Sequence, residues 1–145
     1  MNLPITGGCI CGAVRYESTA EPVLMLKCHC RDCQRITGGP YVPVVVFPYP
    51  AFRLTQGEVR RHSTATEGGG HNVRGFCPEC GSRLTGAENA ERGIIGVVAS
   101  SLDDPAIFQP KFEIYVEDAQ PWDFMDSSTR KFSGHFSKKP EADTP

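Results

Sequence analysis

Seven cysteines in three tight clusters constrain this chain more than any other feature of its sequence. The clusters read C-x-C at Cys9–Cys11, C-x-C-x-x-C at Cys28–Cys33 and C-x-x-C at Cys77–Cys80. Such spacings let a short turn present several thiolates to one tetrahedral metal ion. The odd number of cysteines excludes a complete set of disulfides. Metal binding is therefore favoured over redox chemistry or isolated buried thiols.

Residues that favour sharp turns surround two of the clusters. Gly7, Gly8 and Gly12 flank the first pair, and Pro78 and Gly81 lie within and after the last. Glycine readily adopts the positive φ that allows backbone N–H groups to approach a thiolate sulfur. The segment CPECG has the form of a zinc knuckle, so zinc is the metal we expect.

The seven thiols divide most simply into a group of four and a group of three. Cys28, Cys30 and Cys33 span only six positions, so one loop can present all three to a single ion. The other two pairs are each too few alone and together would form a closed four-cysteine site. Four ligands are typical of structural zinc, whereas three leave a coordination position open. Two alternatives remain, in which Cys28 pairs elsewhere or His29 supplies a ligand.

Composition and charge restrict the class of protein. The chain has 145 residues, of which 39% are hydrophobic, and a formal net charge of −2, which indicates a globular domain and disfavours nucleic-acid binding. We expect a single zinc domain over residues 1–136 and a polar tail over 137–145. The N-terminus lacks the pattern of a secretory signal, and no apolar stretch approaches the roughly 20 residues of a membrane helix. We therefore expect a cytoplasmic protein without a membrane partner.

Short apolar or alternating segments between turn residues predict a mainly β chain. Almost no segment shows a helical period over about 11 residues. One helical turn is expected at Asp32–Ile36. Two hairpins are expected, formed by Ala13–Glu17 with Val23–Lys27 and by Phe52–Thr55 with Glu58–Ser63.

Three motifs in a fixed order resemble the signature segments of one family. They are GGCICGAVRYE at 7–17, KCHCRDCQRITGG at 27–39 and FCPECGSRL at 76–84. These segments are similar to those of the GFA, or CENP-V/GFA, domain, which is named for glutathione-dependent formaldehyde-activating enzyme. The resemblance implies a mainly β fold of tent-like antiparallel sheets, stapled by zinc and containing one or two short helical turns.

The resemblance also implies roles for the cysteines and two Zn²⁺ ions per chain. The implied structural zinc ligands are Cys9, Cys11, Cys77 and Cys80. The implied ligands of the catalytic zinc are Cys28, Cys30 and Cys33. One departure from the family pattern is Glu113, which stands where many members carry a histidine before the Ile-aromatic pair.

The activity implied by the resemblance is that of a carbon–sulfur lyase of the S-(hydroxymethyl)glutathione synthase type. Glutathione or another small thiol would occupy the open position on the catalytic zinc and react with a small aldehyde such as formaldehyde. Glutathione carries two carboxylates, which basic side chains bind. The candidate partners are Lys27, Arg31, Arg35 and Arg74. The alternative is a non-catalytic zinc domain that binds a thiol metabolite or a protein partner.

Overall fold

A computed structural model describes residues 1–66 and 68–136 of the chain. They fall into two compact units, which we call the larger and the smaller unit. The larger unit contains Met1–Leu24 and Val45–Ile107, and the smaller contains Met25–Val44 and the chain from Phe108 onward. The tail expected over 137–145 lies outside the described residues, and the single domain over 1–136 stays a prediction.

The described part of the chain is mainly β, as predicted, with one α-helix. Strands β1 to β6 are Ile5–Gly8, Arg15–Ser18, Leu24–Cys28, Val42–Pro48, Phe52–Gln56 and Arg60–Ala65. Strands β7 to β11 are His71–Phe76, Arg83–Asn89, Ile94–Val98, Phe112–Ile114 and Arg130–Lys131. Helix α1 is Arg31–Thr37, and short 3₁₀ helices lie at Tyr49–Ala51, Ala99–Ser101, Pro105–Ile107 and Val116–Asp118. No described helix has the length and apolar character needed to cross a membrane.

The larger unit is built from antiparallel pairings. Strand β2 pairs with β1 and β5, while β7 pairs with β6 and β8, and β8 pairs with β9. The most buried side chains of its core include Val14, Tyr16, Phe47 and Leu84. The Tyr16 hydroxyl packs so closely that a Cβ at Gly7 would lie 2.4 Å from it. Glycine is therefore required where β1 approaches the first cysteine pair.

Both predicted hairpins are wrong. Strand β2 takes β1 and β5 as its partners rather than the Val23–Lys27 segment. Strand β5 pairs with β2, whereas β6 pairs with β7, so the turn at Gly57 leads from one sheet to another. Gly57 has a φ of 71°, and a Cβ there would lie 2.1 Å from the Ala13 carbonyl oxygen. The turn at Gly57 therefore packs closely against Ala13, and local turn propensity does not reveal this contact.

The smaller unit combines parallel strands with α1. Strand β10 pairs in parallel with both β3 and β11. The register places Glu113 of β10 opposite Lys27 of β3. Helix α1 confirms the helical turn expected at Asp32–Ile36, and it ends at Gly38, whose φ of 73° is typical of a helix C-terminus. The strand and the helix together position the second cysteine cluster.

Candidate metal centre

The larger unit brings four thiols together. The sulfur atoms of Cys9, Cys11, Cys77 and Cys80 all lie within 4.8 Å of one another. The Cys9 and Cys11 sulfurs are 3.6 Å apart, and those of Cys11 and Cys77 are 3.8 Å apart. Zinc–sulfur bonds of about 2.3 Å in a tetrahedron separate the sulfur atoms by about 3.8 Å. The spacing of this cluster therefore fits a tetrahedral zinc ion.

A tight turn presents the second pair of this cluster to the first. The Cys77 N–H donates to the Ser82 carbonyl at 3.0 Å, and the Gly81 N–H donates to the Cys77 carbonyl at 2.9 Å. Gly81 has a φ of 77°, which allows this turn to close. The Ser82 hydroxyl accepts a hydrogen bond from the Ile10 N–H at 3.1 Å, across 72 positions of sequence. This contact joins the two cysteine segments directly.

The thiols of the four-cysteine cluster differ in acidity. Hydrogen bonds from the hydroxyl and backbone of Ser82 lower the pKa of Cys80 to about 5. A backbone hydrogen bond from Ala13 favours the Cys11 thiolate, but the adjacent sulfur of Cys9 and the other thiols raise the pKa of Cys11 to about 12. The neighbouring sulfur atoms therefore oppose ionisation of the Cys11 thiol. A bound divalent cation removes that penalty, so this donor set suits a metal.

The smaller unit brings the other three thiols together. The sulfur atoms of Cys28, Cys30 and Cys33 lie within 4.8 Å of one another, and no fourth ligand joins them among the described residues. Cys28 ends β3, and Cys30 caps α1 by accepting a hydrogen bond from the Cys33 N–H at 3.4 Å. The neighbouring thiols of Cys30 and Cys33 raise the pKa of Cys28 well above its usual value. The cluster thus offers a cation three ligands of a tetrahedron.

The ring of His29 faces carboxylates. His29 is fully buried between Cys28 and Cys30, and its Nε2 lies 2.7 Å from Oε1 of Glu113. Its Nδ1 lies 3.5 Å from Oδ2 of Asp123. His29 is not part of the group of ligand atoms formed by the three thiols. The alternative in which His29 supplies a ligand therefore has no support in this arrangement.

The backbone of His29 is also fixed by distant segments. Its N–H donates to the Ile114 carbonyl at 3.0 Å, and its carbonyl accepts from Nε2 of Gln34 at 2.6 Å. The same amide nitrogen of Gln34 donates to the Asp118 carbonyl at 2.9 Å. The peptide between the first two cysteines of this cluster is therefore held to both β10 and α1.

Glu113 is a functional candidate that sequence reasoning missed. It is fully buried, its Oε2 accepts a hydrogen bond from the Thr129 hydroxyl, and the Lys131 Nζ lies 3.8 Å away. Burial acts to raise the pKa of Glu113, but hydrogen bonds from His29 and Thr129 and the charge of Lys27 lower it below its usual value. Glu113 is thus an ionised carboxylate inside the unit. The sequence marks it only as a departure from a family pattern.

The four predicted substrate-binding cations do not all lie in one unit. Lys27 lies on β3, and Arg31 and Arg35 are exposed on α1, so all three belong to the segment that carries the three-cysteine cluster. Arg74 is 6% exposed on β7 of the larger unit and donates to the Thr64 hydroxyl at 2.7 Å. Lys27, Arg31 and Arg35 remain candidates on their positions alone.

Comparisons with known proteins agree with this arrangement. Residues 4–118 match the model of a family described as glutathione-dependent formaldehyde-activating enzyme. A Rhodobacter sphaeroides protein with a crystal structure is similar at a TM-score of 0.54 and 21% sequence identity. The similarity covers 68% of this chain and 87% of that one, and at such identity it shows the fold alone. All seven cysteines lie within the residues that the family model matches.

Proposed function

Because this chain belongs to the family of the glutathione-dependent formaldehyde-activating enzyme, we propose that it is a zinc-dependent carbon–sulfur lyase. Its substrate would be the adduct of formaldehyde, or a similar small aldehyde, with glutathione or a similar small thiol. The observation that carries this proposal is the three-thiol cluster of Cys28, Cys30 and Cys33, whose sulfurs lie within 4.8 Å of one another. Three protein ligands leave a tetrahedral ion one position for a substrate.

The proposal assigns a different role to each cluster. A structural zinc would be held by Cys9, Cys11, Cys77 and Cys80, because four ligands close a tetrahedral site. A second zinc would be held by the three-cysteine cluster. When bound there, zinc keeps a coordinated thiol deprotonated and acts as a Lewis acid toward an aldehyde oxygen.

The reaction itself is a simple addition. In the synthetic direction, the sulfur of the thiol bonds to the carbonyl carbon, the π electrons move to oxygen, and the thiol proton ends on that oxygen. The protein's contribution is to position the thiol beside the aldehyde. Lys27, Arg31 and Arg35 would bind the carboxylates of glutathione, since all three belong to the segment that carries the cluster.

We expect native mass spectrometry of the reduced protein to detect two zinc ions per chain and, after addition of glutathione, one bound glutathione. The two clusters provide the reason, since each gathers enough thiolates for one ion. The same preparation should form S-(hydroxymethyl)glutathione faster than the spontaneous reaction. One zinc per chain without a glutathione adduct or rate enhancement would contradict the lyase and favour a non-catalytic zinc domain.

Replacing Arg35 by alanine should weaken glutathione binding by up to about fivefold, because an exposed ion pair contributes about 0.2–1 kcal/mol. Added salt should also weaken glutathione binding to the native protein, because salt screens the attraction between exposed charges. Isothermal titration calorimetry at two salt concentrations measures both effects. Arg53→Ala is the matched control, because Arg53 is an exposed arginine of the larger unit, paired with Glu17. Equal affinities for the native protein and Arg35→Ala, together with no salt dependence, would contradict a role for Arg35.

A further inference from the structure

The buried carboxylate of Glu113 is hydrogen-bonded to His29, the residue between Cys28 and Cys30. Oε1 of Glu113 lies 2.7 Å from Nε2 of His29, across 84 positions of sequence, and both side chains are fully buried. The addition of a thiol to an aldehyde, as proposed above, uses neither residue. Burying an ionised carboxylate costs free energy unless partners compensate for it. A buried carboxylate next to the candidate metal ligands Cys28 and Cys30 therefore requires a physical explanation.

We propose that Glu113 is a positioning residue that sets the metal affinity of the three-cysteine cluster by fixing His29. This inference rests on the proposed metal site. His29 connects Cys28 to Cys30, so its position fixes the distance and direction between these two thiols. Holding ligands in place before the ion arrives removes part of the ordering entropy that binding otherwise costs.

The ring of His29 has one strong anchor and one weak neighbour. The 2.7 Å contact to Glu113 is a normal hydrogen-bond distance, whereas the 3.5 Å separation between Nδ1 and Oδ2 of Asp123 is too long for one. Nδ1 of His29 and Oδ2 of Asp123 are both buried without a hydrogen-bond partner. Glu113 therefore provides the main restraint on the ring, and the backbone contacts to Ile114 and Gln34 restrain the peptide.

Glu113 is itself held rigidly. Its backbone is fixed in the parallel register between β3 and β11, and its second oxygen accepts from Thr129. Lys131 lies 3.8 Å from that oxygen and donates to the Asp126 and Thr129 carbonyls. The anchor of His29 thus belongs to a connected set of buried polar contacts. Such a set transmits the geometry of the strands to the ligand loop.

The test is the zinc affinity of each cluster, measured by competition with a chelator and assigned by native mass spectrometry. Removing a partner that orients a metal site typically costs about 10- to 100-fold in metal affinity. We expect this loss at the three-cysteine cluster in Glu113→Ala, with the four-cysteine cluster unchanged. Glu113→Gln should restore most of the affinity, because its amide oxygen still accepts from His29.

A second measurement replaces zinc with cobalt and records the absorption spectrum of the bound cobalt. In Glu113→Ala, the absorption of the cobalt-loaded three-cysteine cluster should change and broaden, and in Glu113→Gln it should return toward that of the native protein. Glu88→Ala is the matched control, because Glu88 is a carboxylate of the larger unit that pairs with Arg61. It should leave both affinities and both spectra unchanged.

Two results would overturn the inference: native affinity at the three-cysteine cluster in Glu113→Ala, or equal weakening of both clusters. If Glu113→Ala does not fold, Thr129→Val takes its place, since it removes the hydroxyl that holds Glu113 but retains the carboxylate. Native affinity in Thr129→Val would then overturn the inference. Absence of lyase activity alongside a selective affinity loss would refute the proposed function alone, because the metal measurement needs no substrate.

Discussion

Replacing Cys77 by serine is expected to abolish folding of the larger unit. Cys77 is fully buried and contributes one of four thiols that join two segments far apart in the sequence. Structural zinc in small zinc-finger peptides provides about 10–16 kcal/mol of apparent binding free energy, which is as large as the whole net stability of an ordinary domain. Loss of one ligand should therefore leave the variant insoluble or without β-type circular dichroism at room temperature.

The control for this prediction is the same chemical change in the other cluster. Cys30→Ser removes one thiol from the three-cysteine cluster and should be tolerated by the fold. A strong chelator added to the native protein should unfold it in the same way as Cys77→Ser, because it would withdraw the zinc ion that the four-cysteine cluster is proposed to hold. A soluble Cys77→Ser protein that melts like the native chain would show that the four-cysteine cluster does not carry the stability.

Cys30→Ser should retain the β fold and lose one zinc ion together with the lyase activity. The thiol of Cys30 accepts the N-terminal hydrogen bond of α1 from Cys33. Serine is a favoured residue at this position of a helix, so the helix keeps its cap. A serine hydroxyl is a much poorer zinc ligand than a thiolate, and two thiols remain. Circular dichroism, zinc per chain and the rate of S-(hydroxymethyl)glutathione formation above the spontaneous rate measure the three effects.

A comparison with Cys30→Ala separates the two roles of this side chain. Both variants should lose the zinc ion and the activity. Only the alanine variant also loses the cap, which should cost about 1 kcal/mol of stability relative to serine. Native activity in either variant would contradict the catalytic role proposed for the three-cysteine cluster. Unfolding of Cys30→Ser would contradict the division between a structural and a catalytic centre.

Local secondary structure could be predicted from the sequence, whereas the pairing partners of the strands could not. The helical turn near Cys33 was predicted correctly, because its signals lie within a few residues of one another. The two hairpins were not, because the partner of a strand depends on which distant segment covers its edge. The turn at Gly57, for example, packs against the carbonyl of Ala13, which lies 44 positions earlier in the chain. No turn propensity contains that information.

The sequence by itself determined the mainly β class, the family and the clustering of cysteines within each motif, because these follow from residue types at short spacings. Only the tertiary structure decided that Glu113 lies against His29. That contact needs β10 to pair with β3 in a register that sets Glu113 opposite Lys27. A shift of one residue would turn the Glu113 side chain to the other face of the sheet. The cysteine spacing follows from the sequence alone, whereas the buried contact between Glu113 and His29 depends on strand register.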